Sequence, residues 1–140
     1  MIVLDTNVIS EFTRPTPSPR VTEWFRTQNP ADLSTTAINE AEVLTGLVLL
    51  PEGRRKEALI RQTETMLDVF GARVFPFDRN AARIYPLVIL QRKALGFATD
   101  TADGQIAAIA RVQGAAVATR NTAHFEHCGV EVINPWTIRP

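Results

Sequence analysis

The sequence predicts a three-layer α/β protein in which a mostly parallel central sheet is flanked by helices. Short runs of β-branched and apolar residues alternate along the chain with longer segments of helical periodicity. This alternation favours parallel strands joined by right-handed crossovers, with helices on both faces of the sheet. No repeat, linker or low-complexity tract divides the 140 residues. We therefore expect residues 1–140 to form a single domain.

The first half of the chain holds two predicted strands and four predicted helices. The first helix is short and is capped by Thr6 or Asn7, and a proline-rich loop at residues 13–19 follows it. The third helix is apolar on nearly every side, which predicts that it is buried, whereas the fourth is amphipathic with a solvated basic start. The strands are Met1–Leu4 and Leu33–Thr35; the first helix carries Val8, Ile9 and Phe12, and the others span Val21–Thr27, Ala37–Leu50 and Arg54–Phe70.

The second half holds three predicted strands and two helices. Asp78 caps a helix that runs to Leu95, and Pro86 inside it should kink or divide it. The last strand is expected at an edge of the sheet. The strands are Val74–Phe77, Ala115–Thr119 and Glu131–Ile133, and an alanine-rich helix spans Thr99–Val112.

Composition and charge exclude several classes of protein. Lys plus Arg and Asp plus Glu both number 15, so the chain lacks the positive excess of a dedicated nucleic-acid binder, although a bound metal can supply positive charge locally. The single cysteine, Cys128, excludes an internal disulfide and fits a reducing cytoplasm. The amino terminus is not a signal peptide, and no apolar run approaches the roughly 18 to 20 residues that span a bilayer. We expect a cytoplasmic protein without membrane association.

Asp5 lies at the carboxyl end of the first predicted strand. In an open parallel sheet, ligands bind beyond the carboxyl ends of the strands. The position therefore suits chemistry. An aspartate at such a place also serves commonly as a helix cap or a turn residue, and Asp5 alone does not decide between these roles.

The helix Ala37–Leu50 carries two acidic residues, Glu40 and Glu42. A carboxylate on a buried face of this helix must be paired, protonated or bound to metal, because burying it alone costs several kcal/mol. One of the two should be an ordinary solvated residue. Since the helix is apolar on every side, periodicity does not say which one.

Further polar groups come from the last helix and the fourth strand. Asp103 lies in the first helical turn, where the helix dipole alone would favour an acid, and Asp100 precedes it by one turn. The strand Val117–Thr119 runs into Arg120 and Asn121. Arg120 could contact a phosphate, although an arginine at a strand end is commonly a surface ion pair. Carboxylates that meet at one sheet edge suggest a hard cation, Mg²⁺ or Mn²⁺.

Four segments in this order and spacing resemble the PIN-domain toxins of the VapC type, and especially the FitB-like branch. A fifth segment near the carboxyl end also fits that branch, so the resemblance covers nearly the whole chain. The segments are VLDTN at 3–7, AEVLTG at 41–46, TADGQIAA at 101–108, VATRN at 117–121 and INPW at 133–136.

The resemblance implies a PIN-like fold and a metal-dependent endoribonuclease that uses Mg²⁺ or Mn²⁺. It also favours Glu42 over Glu40. The candidate catalytic residues are Asp5, Glu42 and Asp103; the candidate metal ligands are Asp5 and Asp103, with Glu42, Asn121 and Asp100 as further candidates; the supporting residues are Thr6, Thr119 and Asn121.

One position departs from the family pattern, and the family also implies partners. Asn121 stands where related sequences usually carry a fourth acid, so a second metal is in doubt. The resemblance implies a homodimer and a cognate VapB-like antitoxin that wraps the toxin, blocks its site and brings the pair to operator DNA. The RNA substrate is the remaining partner.

Three other hypotheses compete with that of a metal-dependent endoribonuclease. The first is a catalytically silent PIN-like module that acts mainly through its antitoxin partner and DNA. The second is an aspartyl phosphotransferase of the haloacid dehalogenase family, which would need a second acid at the place of Asn7. The third is a zinc site in HFEHC at residues 124–128, which lacks a second ligand pair.

Overall fold

The computed structural model, which describes residues 1–139, contains one five-stranded sheet. The strand order is β3-β2-β1-β4-β5, and every pair of neighbours is parallel. The chain adds strands outward on one side of β1 and then returns to its other side, so the topological switch point lies between β1 and β4. The strands are β1 (Ile2–Leu4), β2 (Leu33–Thr36), β3 (Val74–Phe75), β4 (Ala116–Ala118) and β5 (Val132–Ile133).

Seven α-helices are present in the described chain, six of which the sequence predicted. The exception is α7, a single turn after β4, where the sequence predicted no helix. The helices are α1 (Thr6–Glu11), α2 (Pro19–Thr27), α3 (Ala37–Val48), α4 (Arg54–Phe70), α5 (Arg79–Ala94), α6 (Thr101–Val112) and α7 (Thr122–Phe125), with 3-10 turns at Pro30–Asp32 and Gly71–Arg73.

The core has two halves, one on each face of the sheet. Adjacent residues on a strand point to opposite faces. Val3 and Val117 accordingly pack in a cluster with Ile106 of α6. Leu4 and Ala118 pack on the other face with helices α1 to α4. Both faces are therefore covered, which confirms the predicted three layers.

The third helix is not buried all round, and that prediction was wrong. Asn39, Val43 and Leu47 form its buried stripe. The outer side is open to solvent, with Val48 55% exposed and Leu49 80% exposed just beyond the last turn. The prediction failed because it was based on composition, and apolar residues on a helix can also be exposed to solvent.

Smaller differences concern caps and single residues. Asp5, rather than Thr6 or Asn7, caps α1. Pro86 lies inside one continuous helix, so it does not divide α5. Lys56 is buried and pairs with Glu52, which corrects the expectation of a wholly solvated basic start to α4. In contrast, Asp78 caps α5 as predicted.

None of the helices in residues 1–139 combines the length and the apolar character that crossing a membrane requires.

Candidate active site at the carboxyl edge of the sheet

Asp5 lies at the switch point, where the two central strands end. Its backbone N–H donates to the carbonyl of Ala118 at 2.9 Å, which holds the end of β1 against β4. The residue is 4% exposed. Its position at the mouth of the crevice between β1 and β4 matches the usual place of ligand sites in open α/β sheets.

Four hydrogen bonds orient the Asp5 carboxylate. Oδ1 accepts from the backbone N–H of Thr6 at 2.9 Å and from Nδ2 of Asn39 at 3.0 Å. Oδ2 accepts from Oγ1 of Thr119 at 2.7 Å and, less closely, from Nδ2 of Asn7 at 3.4 Å. These donors compensate the burial of a negative charge, since charge-assisted hydrogen bonds are stronger than neutral ones.

Asn39 reaches Asp5 because of the way α3 begins. Thr36 ends β2 and caps α3, accepting from the backbone N–H of Asn39 at 3.1 Å. The same hydroxyl donates to Oδ1 of Asn39 at 2.7 Å, which leaves Nδ2 to bond Asp5. Asn39 is fully buried. A third strand end thus contributes to fixing Asp5.

Glu42 lies one turn further along α3 and faces the same edge. Its Oε1 accepts from Oγ1 of Thr6 at 2.9 Å. The residue is exposed, so the expectation of a buried carboxylate was wrong, for the same reason that the helix is not buried all round. Glu40 is half-buried and forms no side-chain hydrogen bond with the described residues. The structure thus places Glu42, and not Glu40, against Thr6.

Asp103 lies in the first turn of α6 and contacts His124 of α7. The distance from its Oδ2 to Nδ1 of His124 is 3.0 Å. The side chain of Asp103 is 19% exposed and that of His124 is 58% exposed. Gly104 brings this turn close to α5, since a Cβ there would lie 2.8 Å from Cε2 of Tyr85.

The carboxylates affect one another electrostatically. Although Glu42 is exposed as a residue, partial desolvation of its carboxylate raises its pKa more than any other cause; the Thr6 hydrogen bond opposes this, and the charges of Asp5, Asp103 and Asp100 add to it. Burial also raises the pKa of Asp103, reinforced by Asp5 and opposed by His124. The site concentrates negative charge, which a cation would relieve.

The two remaining candidate metal ligands, Asp100 and Asn121, are the N-cap residues of two helices. Asp100 is exposed and caps α6, where its side chain accepts from the N–H of Ala102 at 2.9 Å. Asn121 is exposed and begins α7. Its backbone N–H donates to Oγ1 of Thr119 at 3.0 Å, so it adjoins the Asp5 network.

The donor chemistry fits a hard divalent cation, although no tight cage is formed. Carboxylate, hydroxyl and amide oxygens are the ligands that Mg²⁺ and Mn²⁺ prefer. In the described residues, no three His, Cys, Asp or Glu side chains converge closely enough to hold one ion together. A full cage is not needed, because Mg²⁺ usually keeps several waters and binds one or two carboxylates. Asp5 and Asp103 could serve as those two.

The zinc reading of residues 124–128 is wrong. His124 faces Asp103, whereas the ring of His127 stacks on Phe97 with ring centres 5.4 Å apart. Cys128 is completely buried in the core. The three side chains serve separate contacts and leave no shared ligand position.

Sequence reasoning missed three polar residues of the site: Asn7, Asn39 and His124. A signal existed for His124, because residues just after β4 must lie at the same edge as residues just after β1. Asn39 had a weaker signal, as a polar residue three positions after the helix-capping Thr36. Asn7 belongs to the VLDTN segment but drew attention only as the place where another family needs an acid.

Fold and site together define an open-sheet α/β protein with a carboxylate-rich site at its topological switch point. A family model described as the PIN domain matches residues 2–130. The chain belongs to the PIN-domain family. This membership confirms the predicted PIN-like fold and excludes the haloacid dehalogenase reading.

Curated relatives and solved structures agree with this assignment. The chain is 42% identical to VapC ribonuclease Y4jK of Sinorhizobium fredii over 97% of this chain and 98% of that protein. It is equally identical to Toxin FitB of Neisseria gonorrhoeae over 97% of this chain and 99% of the relative. A structure of FitAB bound to an IR36 DNA fragment has a chain that matches with a TM-score of 0.95 and 40% identity, covering 100% of this chain and 99% of that one. The resemblance to VapC-type toxins of the FitB-like branch is confirmed.

Proposed function

We propose that this protein is a metal-dependent endoribonuclease and the toxin of a type II toxin-antitoxin pair. The observation that carries the proposal is the Asp5 carboxylate, fixed by four hydrogen bonds at the switch point beside Glu42 and Asp103. The names of the relatives, a VapC ribonuclease and a toxin, support it. The reaction is hydrolysis of an RNA phosphodiester bond.

Each residue has a part in this proposal. Asp5 and Asp103 would hold Mg²⁺, or Mn²⁺ in its place, with Glu42 as a further ligand or as an acceptor for a proton of the attacking water. Bound there, the cation supplies positive charge to the phosphate and lowers the pKa of water. Asn39 and Thr119 keep Asp5 in one orientation.

Other polar residues of the site contact Glu42 and Asp103. The hydroxyl of Thr6 orients Glu42, and His124 orients Asp103. Asn121 offers an oxygen without a charge, so it would be a weak ligand for a second ion. Asp100, whose carboxylate caps α6, adds negative charge that acts on Glu42 and Asp103.

The proposed partners follow the relatives and the exposed apolar surface. We infer an antitoxin that covers the toxin, blocks its site and carries the pair to operator DNA; a structure of the relative FitAB is bound to DNA. Val48, Leu49 and Leu50 offer apolar surface for such a partner. We also propose a homodimer and a cytoplasmic location, the latter because the chain has a single cysteine.

The test is a cleavage assay on the purified protein without antitoxin. We expect RNA cleavage in Mg²⁺ or Mn²⁺ and none in EDTA. Glu42→Gln should lose at least a hundredfold in rate, as expected for a group that assists proton transfer, and Glu40→Gln, its matched control on the same helix, should stay near normal.

Two results would count against this function. Cleavage that persists in EDTA would contradict the role of the metal. A well-folded protein that cuts no RNA in either metal would favour the silent binding module instead.

A further inference from the structure

Arg120 lies at the same sheet edge as the acids, but its guanidinium points toward Trp136. It follows Thr119 at the end of β4, and its backbone N–H donates to Oδ1 of Asn7 at 3.0 Å. Its guanidinium carbon lies 5.3 Å from the centre of the Trp136 ring. The residue is exposed. A cation is thus held over Trp136, on the β5 side of the site, by a residue whose backbone bonds Asn7, a neighbour of Asp5.

Within the part of the chain that the structure describes, no acidic side chain forms an ion pair with Arg120. Among residues 1–139, the ion pairs within 4 Å involve Arg14, Lys56 and His124, and none involves Arg120. The expectation of a surface ion pair at this strand end was therefore wrong. The N–H groups of the Arg120 guanidinium are therefore available to donate hydrogen bonds to a ligand.

Trp136 is itself fixed. Its backbone N–H donates to Oδ1 of Asn134, directly after β5, at 3.0 Å, and its ring packs against the core cluster on the α2 side of the sheet. Its carbonyl accepts from the guanidinium of Arg20 at 3.4 Å. Two arginines therefore meet at one tryptophan, beside a site that is otherwise acidic.

We propose that Arg120, held over the ring of Trp136, binds a phosphate of single-stranded RNA next to the phosphate at the carboxylate cluster. The inference rests on the proposed ribonuclease function and specifies where its substrate lies. Since the chain carries no net charge and its acids repel RNA, the flanking phosphates need local cations. The guanidinium fork matches phosphate geometry, and contact with an aromatic face limits its rotamers.

The test compares RNA binding by variants of the full chain. The probe is a fluorescently labelled 12-nucleotide single-stranded RNA, titrated in EDTA so that it is not cut. Arg120→Gln removes the charge at the proposed contact, and Arg61→Gln removes the same charge from an exposed position on α4. Trp136→Leu removes the ring and Trp136→Phe keeps an aromatic one. Melting temperatures confirm that each variant folds.

We expect Arg120→Gln to raise the Kd about tenfold, and to reduce the slope of log K against log salt by about 0.7, the value for one phosphate contact on a single strand. Arg61→Gln should change the Kd less than twofold. Trp136→Leu should weaken binding severalfold, and Trp136→Phe should restore most of the loss. The KM for cleavage in Mg²⁺ should follow the Kd.

The outcomes separate this inference from the proposed function. If Arg120→Gln binds RNA like Arg61→Gln, or if the wild type does not bind the probe at low salt, the inference is overturned. If Arg120→Gln weakens binding while the wild type cuts no RNA in either metal, the phosphate contact stands and the nuclease proposal fails.

Discussion

At the scale of single residues, the Asp5 carboxylate is a structural group as well as a candidate ligand. Charge repulsion alone would make Asp5→Asn stabilising in the absence of metal. The hydrogen bonds reverse this expectation, because an amide cannot accept from donors on both of its ends. Asn39 would then face a buried position without its acceptor.

We therefore expect Asp5→Asn to abolish cleavage and to cost about 2 kcal/mol of stability, the usual scale for leaving a buried donor without its acceptor. Thermal unfolding in EDTA should show a melting temperature several degrees below that of the wild type. An unchanged or higher melting temperature would mean that relief of repulsion outweighs the lost hydrogen bonds.

Glu42 should show a linkage between stability and pH. Its pKa is raised in the folded protein, so the folded state binds a proton more readily than the unfolded chain. The free energy of unfolding then decreases as pH rises from the ordinary pKa through the raised one, and the destabilisation is complete above it. Below the ordinary pKa of a glutamate both states are protonated and the effect vanishes.

Glu42→Gln removes this titration while keeping an acceptor for Thr6. In EDTA the variant should melt above the wild type at about pH 7 and together with it below about pH 4. Mg²⁺ should stabilise the wild type more than the variant. A variant that melts lower at both pH values would show that the carboxylate contributes net stability.

At the scale of elements, the residues that begin α6 and α7 affect the net charge of the site. Asp100 and Asn121 are both exposed residues at helix starts, so each can change charge without disturbing the core. Asparagine caps helices about as well as aspartate. Asp100→Asn therefore changes charge at constant capping.

We expect Asn121→Asp to lower the Mg²⁺ concentration for half-maximal cleavage severalfold, and Asp100→Asn to raise it severalfold, since a charge near a divalent ion contributes on the order of 1 kcal/mol even at an effective dielectric of about 20. Magnesium titrations of the three proteins measure both shifts. An unchanged titration for Asn121→Asp would exclude that position from the metal site.

Elements were largely predictable from the sequence, whereas their exposed faces were not. The five strands and six of the helices follow from periodicity, prolines, glycines and caps, and Asp5 was placed correctly at a strand end. The stripe of α3 that faces inward was not predictable, because its apolar residues occur on both sides of the helix. The network of Asn39 and His124 depends on contacts between distant segments, which periodicity does not report.

At the scale of the whole molecule, two exposed leucines on α5 offer a surface for the homodimer that we propose. Leu87 is 45% exposed and Leu90 is 64% exposed, and residues three apart share one face of a helix. If the proposed homodimer uses this face, Leu87→Ser combined with Leu90→Ser should give a monomer. Light scattering during size exclusion measures the mass, and Val69→Ser, at a residue on α4 that is 74% exposed, is the control. A double variant that stays dimeric would place the interface elsewhere.

The placement of β1 between β2 and β4 also has a consequence for synthesis. Asp5 is synthesised before Thr119, which donates to it and follows 114 residues later in the chain. Until β4 and Thr119 have left the ribosome, one side of β1 has no neighbouring strand. The Asp5 carboxylate then also lacks its shortest hydrogen bond. A nascent chain therefore cannot complete the site, and a ribosome that stalls before β4 releases a fragment without it. The order of strands in the sheet delays the formation of this site until β4 and Thr119 have been synthesised.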